Sequence, residues 1–111
     1  MRKIIVYIAT SADVAYIPCA DGTRAVRIST AGALSVQWRG PAQANGSPTV
    51  GGGVVWVTDY TNGILYALDP ASGAVRAQLS TGALPHFASP TLAGDHAYVG
   101  TMNGVIAISG A

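Results

Sequence analysis

The chain has 111 residues, enough for one domain, and half of them are hydrophobic while only 10% are charged. Typical soluble domains are about a quarter charged, and this sequence has no Glu, so it lacks a main residue type of exposed helix faces. The formal net charge of +1 gives no electrostatic basis for binding nucleic acid or an anionic membrane. Val, Ile, Tyr and Thr, together with 14 Gly, predict an all-β protein of strands and tight turns.

The N-terminal segment allows two interpretations. Met1-Arg-Lys precedes an apolar run at 4–9, and this order resembles a signal peptide with a small-residue cleavage site. The run is shorter than the roughly 7–15 residues of a signal-peptide core, and it lies where the repeat described below requires a strand. We interpret it as a strand at 5–10, with a signal peptide as the alternative. No run approaches the roughly 18 apolar residues of a spanning helix, and the single Cys19 excludes an intramolecular disulfide.

A pattern of strands and turns occurs three times along the chain. Ser89-Pro-Thr-Leu repeats Ser47-Pro-Thr-Val after 42 residues, and Tyr98 follows Trp56 at the same spacing. Tyr16 precedes Trp56 by 40 residues. A period of about 40–45 residues with four strands per unit is typical of propeller blades.

The repeat predicts antiparallel, four-stranded blades that form an open, incomplete propeller of about 2.75 blades. The predicted strands are 5–10, 14–18, 25–28 and 34–38 in the first unit, 47–50, 54–58, 64–68 and 75–79 in the second, and 89–92, 96–100 and 104–108 in the third. The whole chain, 1–111, is thus one partial propeller domain with blades at about 5–38, 47–79 and 89–108. Apolar residues on both faces of the middle strands indicate stacked sheets. The bulky residues expected between blades are Trp38, Trp56, Tyr66 and Tyr98.

Each predicted hairpin has turn residues with a physical role. Two-residue hairpins favour turns with positive φ at both central positions, which Asn-Gly and Asp-Gly pairs allow. Such pairs recur at matching places: Asp21-Gly22, Asn62-Gly63 and Asn103-Gly104. A second kind of turn begins at Asp69, which can accept hydrogen bonds from nearby backbone N–H groups, and closes at Gly73. Ser29 takes the place of Asp69 in the first unit.

The central unit resembles a known repeat. Gly-Gly-Val-Val-Trp-Val-Thr from Gly52, followed by Asn-Gly-Ile-Leu-Tyr-Ala-Leu-Asp-Pro-Ala-Ser-Gly from Asn62, is similar to the repeat of pyrroloquinoline-quinone-type β-propellers. These include quinoprotein dehydrogenases and a non-enzymatic outer-membrane assembly lipoprotein. The resemblance covers about residues 9–108 and implies a propeller fold and an extracytoplasmic location. Members usually have a Trp near the end of the outer strand; Trp38 takes this role with an offset in spacing, and Leu79 replaces the Trp in the second unit.

The resemblance also implies what an enzyme of this family would contain. Quinone-dependent members use acidic and amide calcium ligands, a catalytic Asp and often adjacent cysteines, whereas this chain has no Glu, one Cys and five Asp. We therefore predict no catalytic residue, no metal site and no cofactor. The chain is interpreted as a non-catalytic binding or scaffold segment of a larger propeller. The alternative is the C-terminal part of a quinoprotein dehydrogenase whose catalytic residues lie outside this chain.

Four residues are candidate ligand-binding positions for a protein or small molecule. His86 and Phe87 depart from the repeat in the connection between the second and third units, which in a propeller approaches the central channel. Asp59 lacks an evident turn role and precedes Tyr60. The simpler interpretation is that Phe87 fills a blade top and that His86 and Asp59 are solvated loop residues. The two His have no Cys or third His at metal-binding spacing.

The third unit lacks its outer strand, so strand 104–108 is an edge without charge or Pro. Such an edge recruits another strand, and propellers need at least about four blades. The predicted partner is therefore the missing remainder of a propeller or another copy of the chain, with the run at 4–8 of a neighbouring copy as one candidate strand. We expect self-association that Ile106→Lys reduces.

Overall fold

The computed structural model describes residues 9–11, with their backbone only, and residues 13–85, 88–94 and 96–109. In these ranges the chain forms three antiparallel sheets. The first contains β1 (Ala9–Ser11), β2 (Val14–Cys19), β3 (Gly22–Ile28) and β4 (Leu34–Arg39); the second contains β5 (Thr49–Gly51), β6 (Val54–Asp59), β7 (Ile64–Leu68) and β8 (Val75–Ser80); the third contains β9 (Thr91–Ala93), β10 (His96–Thr101) and β11 (Gly104–Ser109). The predicted all-β class is confirmed, with sheets of four, four and three strands that do not close into a barrel.

Each sheet is a meander in which consecutive strands pair. The first strand of each sheet has three described residues. In the second and third sheets it begins at Thr49 and Thr91, two residues later than predicted. Pro48 and Pro90 precede these starts, and proline has no N–H for strand pairing. Most of the predicted strand at 5–10 lies outside the described residues, as does the run at 4–8. The described part of the chain contains no helix that could cross a membrane.

The first and third hairpins place their glycine differently from the prediction. Cys19 pairs with Gly22, so the loop between them is residues 20–21 and the glycine begins β3. Thr101 pairs with Gly104 in the same way, and the loop is residues 102–103. Positive φ therefore falls on the glycine after the loop, with values of 116° and 149°. Asp21 and Asn103 lie in the loops as predicted, but their partner glycines do not.

Two apolar clusters hold the stack together. The first lies between the first and second sheets and contains Tyr16, Ala25, Trp38, Ala44, Val55, Val57 and Leu68. The second lies between the second and third sheets and contains Leu65, Leu84, Ala88 and Val99, with Trp56, Tyr60 and Ile108 packed against it. The middle sheet is therefore covered on both faces, as its sequence pattern predicts.

Candidate functional site: a groove beside an open strand edge

The third sheet ends at a strand with an open edge. β11 pairs with β10 along its whole length, and no other described strand pairs with it. In the first two sheets the corresponding edges, those of β3 and β7, pair with the outer strands β4 and β8. β11 contains neither a charged residue nor Pro, the features that commonly protect an exposed edge. Its outward N–H and C=O groups are therefore available to another strand.

An open cleft of about 450 Å³ lies beside this edge, between the second and third sheets. Its apolar wall is formed mainly by β6, β7 and β8, with the end of β11. The residues of this wall are Trp56, Leu65, Ala67, Ala77, Leu79 and Ile108. We call the cleft together with the open edge the β11 groove. Backbone edges beside apolar walls bind extended segments, because the edge pairs with the segment's backbone while the wall receives alternate side chains.

One cation has a fixed orientation at the rim of the groove. Arg76 donates from Nη2 to Oδ2 of Asp69 at 2.9 Å and from Nη1 to the carbonyl of Gly53 at 3.0 Å. Both partners belong to the second sheet, so these two contacts hold the guanidinium in place among the residues that line the cleft.

The corresponding place between the first and second sheets is filled by an indole. Trp38 on β4 pairs with Ala25 on β3, and Ala77 on β8 pairs with Ala67 on β7. Each pair lies next to a register shift, where the outer strand contains one extra residue. Such a bulge alters which face the following side chains occupy. By register, the counterpart of Trp38 in the second sheet is therefore Ala77, and the sequence-based assignment to Leu79 is wrong.

Trp38 docks on a turn of the neighbouring sheet. Its ring is 7% exposed, and Nε1 donates to the carbonyl of Pro70 at 2.8 Å. The ring lies so close to Gly73 that a Cβ there would come within 2.4 Å of Trp38 Cε3. Gly73 also has a φ of 75°, which L side chains rarely adopt. The 69–73 turn is therefore shaped to receive Trp38, whereas the β11 groove contains no equivalent ring among the described residues.

Asp69 organises the turn that receives Trp38. Its Oδ1 accepts from the N–H of Ala71 at 2.8 Å, its carbonyl accepts from the N–H of Gly73 at 2.8 Å, and its Oδ2 accepts from Arg76. The N–H of Ala71, helped by the Arg76 side chain, lowers the pKa of Asp69 below its usual range. In the first sheet Ser29 acts similarly, since its Oγ accepts from a backbone N–H at 3.0 Å.

Asp59 is buried, so its interpretation as a solvated loop acid is wrong. It is 1% exposed, and its carboxylate accepts from the N–H of Asn62 at 3.0 Å and from Nδ2 of Asn62 at 2.8 Å. Its carbonyl accepts from the N–H of Gly63 at 2.9 Å. Asp59 pairs with Ile64, so the hairpin has a four-residue loop, 60–63, that this network closes. Tyr60 is half-buried against the second apolar cluster.

The candidate residues chosen from sequence do not form one site. His86 and Phe87 lie outside the described residues. Asp59 and Tyr60 adjoin the second hairpin loop and are not among the residues that line the β11 groove. The sequence indicated the open edge but missed the apolar wall, because the wall depends on the register of β8. The absence of a Trp in β8 was the signal that could have revealed it.

The described acidic side chains all have structural partners. The contacts are Asp13 with Arg27 at 2.9 Å, Asp21 with Arg24 at 2.7 Å, Asp59 with Asn62 at 2.8 Å, and Asp69 with Arg76 at 2.9 Å. The hydrogen bond from Arg24 lowers the pKa of Asp21. Within the described ranges, no three His, Cys, Asp or Glu side chains come together as a metal site.

Comparison with known proteins supports the fold. No family model matches the sequence, and no curated protein matches it. The chain is similar in structure to BamB from Moraxella catarrhalis, with a TM-score of 0.70 and 22% identity over 94% of this chain and 32% of the BamB chain. It is also similar to the computationally designed Ika4 protein, with a TM-score of 0.53 and 10% identity over 100% of this chain and 96% of that one. The chain thus has a BamB-like, propeller-type fold and spans about a third of the length of BamB.

Proposed function

We propose that the chain is a non-catalytic propeller segment that binds an extended strand of another protein chain in the β11 groove, and so acts as a binding or scaffold module. The observation that supports this most directly is the open, uncharged edge of β11 beside an apolar cleft. In the other two sheets the same position holds an outer strand. The partnered state of the four described aspartates supports a non-catalytic role.

The chemistry of the groove defines its occupant. A strand paired to β11 would direct alternate side chains toward the wall that contains Ala77, Leu79 and Ile108. The occupant is therefore a strand with apolar residues at alternate positions. A larger propeller or a second copy would supply one, and the extracytoplasmic location that the sequence resemblance implies is part of this proposal.

A peptide with the sequence of the second outer strand tests this proposal. We would label a peptide of residues 74–81, which contains β8, and follow its fluorescence anisotropy as the 111-residue chain is added. Saturable binding is expected. Leu79→Asp in the chain should weaken it at least tenfold, about 1.4 kcal/mol, because the charge would be desolvated against the bound strand.

The matched control is Val75→Asp, which introduces the same charge at an exposed apolar position of the same outer strand. Val75 is 43% exposed and Leu79 is 44% exposed, but Val75 is not among the residues that line the groove. It should leave peptide affinity unchanged. Absence of saturable binding, equal loss in both variants, or equal binding of a scrambled peptide would contradict the proposal.

The structure indicates a more selective substitution at the β11 edge than Ile106→Lys, the variant suggested by the sequence. Ile106 pairs with the fully buried Val99 and is itself half-buried toward the second sheet. Ile106→Lys would therefore disturb the packing between sheets as well as charge the edge. Val105 is 73% exposed on the other side of β11, so Val105→Lys charges the edge while leaving that packing intact.

A further inference from the structure

One side of each sheet is marked by the same cross-strand pair. The second strand places an aromatic residue opposite an alanine of the third strand. The pairs are Tyr16 with Ala25, Trp56 with Ala67, and Tyr98 with Ala107. We call this side the aromatic face of each sheet.

The other side of each sheet has aliphatic residues at equivalent register positions. They are Ala15, Ile17 and Val26 in the first sheet, Val55, Val57 and Leu68 in the second, and Ala97, Val99 and Ile108 in the third. We call this side the aliphatic face.

Within the chain, an aromatic face packs on the next aliphatic face twice. Tyr16 and Ala25 of the first sheet share a buried cluster with Val55 and Val57 of the second. The aromatic face of the second sheet meets the aliphatic face of the third in the same order, because Trp56 packs in the cluster that contains Val99. The repeat therefore stacks its sheets in one direction.

Two faces remain uncovered at the ends of the described stack. On the aromatic face of the third sheet, Tyr98 is 37% exposed and Val105 is 73% exposed. On the aliphatic face of the first sheet, Leu34 and Val36 are 69% and 59% exposed beside an open cleft of about 760 Å³. At the centre of the same face Ile17 is half-buried, whereas its register counterpart in the covered second sheet, Val57, is fully buried.

We propose that a second copy of the chain covers both faces, head to tail. The aromatic face of each third sheet packs on the aliphatic face of the other copy's first sheet, repeating a contact that the chain already makes twice internally. Two copies of the 111-residue chain would bring six described sheets together, a number within the four to eight blades that propellers typically contain.

One substitution in the repeat fits such a contact. Arg24 has on the first sheet the register position that Tyr66 has on the second. Tyr66 packs against the cluster that contains Tyr16, so Arg24 would approach Tyr98 of the other copy. A guanidinium over a tyrosine ring is a favourable cation–π arrangement, and it would take the place that Tyr66 has against the first apolar cluster.

Two blocking variants test the head-to-tail geometry. Val36→Asp charges the aliphatic face and Tyr98→Asp charges the aromatic face, each at an exposed position. Size-exclusion chromatography with light scattering at tens of micromolar should give two chains for the wild type. Each variant alone should be a single chain, because every contact joins one face of each kind. A 1:1 mixture should again give two chains through the remaining pair of intact faces.

This inference rests on the proposed role of the chain as a protein-binding module, and the outcomes distinguish it from strand binding in the β11 groove. A single-chain mass for the wild type overturns the second-copy contact, while peptide binding in the β11 groove tests the proposed function independently. A two-chain mass for Val36→Asp alone would also overturn the inference. It would show that the copies pair in another way, through the β11 edges or between like faces, because such pairing would survive this substitution. Circular dichroism checks that the variants fold, and Leu34→Asp provides a second block of the same face.

Discussion

The two gaps between neighbouring sheets lie at equivalent places in the repeat, but different side chains occupy them. In the first, Trp38 occupies the outer part of the gap and docks on Pro70 and Gly73. In the second, Ala77 has the equivalent register position, and a cleft of about 450 Å³ lies beside it. The first gap is sealed by a large side chain, whereas the second has an alanine at that position and no outer strand on the third sheet among the described residues. We therefore expect the first gap to contribute more to stability and the second to be the place where a partner binds.

The largest effect should follow from emptying the first gap. Trp38→Ala removes a buried indole, and losses of about 3–5 kcal/mol are typical of such truncations. It also leaves the Pro70 carbonyl without its donor. We expect a corresponding fall in the free energy of unfolding, measured by urea denaturation. Trp56→Ala is the control, because Trp56 is half-buried at the open groove and should cost less. Equal losses would remove the distinction between the two gaps.

Several features of this comparison could be predicted from the sequence. The matching Ser-Pro-Thr segments and the positions of Trp56 and Tyr98 were enough to predict three antiparallel sheets. The Asp-Gly and Asn-Gly pairs located the three hairpins but not the exact residues of their loops. The counterpart of Trp38 was assigned wrongly because the hairpin between the third and fourth strands is three residues shorter in the second sheet: Trp38 follows its partner Ala25 by 13 residues, whereas Ala77 follows Ala67 by 10. Hydrogen bonding between strands determines the register, and it involves backbone atoms that every residue shares.

Asp59 illustrates a second limit of sequence reasoning. An Asn-Gly pair indicates that the chain turns, but it does not specify a loop of two or four residues. The four-residue loop brings Asn62 to the carboxylate of Asp59 and buries it. The β11 groove could not be predicted for a similar reason. Its wall combines residues of two sheets, and the local sequence pattern does not encode how those sheets pack on each other.

A smaller loss of stability should follow from a substitution in the turn that receives Trp38 than from removal of the Trp38 ring. Gly73→Ala requires a left-handed conformation, which costs L residues roughly 1–2 kcal/mol, and introduces a Cβ into the Trp38 ring, for which overpacking costs typically about 1–3 kcal/mol. Gly52→Ala is the matched control, since Gly52 has a φ of 62° and open space around a Cβ. Urea denaturation should show the greater loss at Gly73.

A double variant isolates the contact between ring and glycine. In a Trp38→Ala background the overlap is removed, so Gly73→Ala should then cost about as much as Gly52→Ala. An unchanged difference between the two glycines would show that the Trp38 ring does not determine the requirement at Gly73.

The smallest expected effect is on the pH dependence of stability, through Asp69 in the turn that receives Trp38. Hydrogen bonds from Ala71 and Arg76 lower the pKa of Asp69 in the folded chain, whereas an unfolded Asp has a pKa of about 3.9. The ionised form is therefore favoured by folding. Its contribution is fully present above the unfolded pKa and is lost as pH falls through the lower, folded pKa. We expect stability to decline as pH falls from about 5 to about 3, and Asp69→Asn to reduce that decline.

Asp21→Asn is the control that connects this acid response to the first gap. The pKa of Asp21 is also lowered, by its hydrogen bond from Arg24, so this variant should reduce the decline as well. Asp21 lies in the loop between β2 and β3, whereas Asp69 begins the turn whose Pro70 carbonyl accepts from Trp38. Only Asp69→Asn should therefore change the tryptophan emission of the folded chain. Stability that rises on acidification would contradict the expected contribution of ionised Asp69. Equal emission changes in both variants would contradict the link between the Asp69 turn and the docking of Trp38.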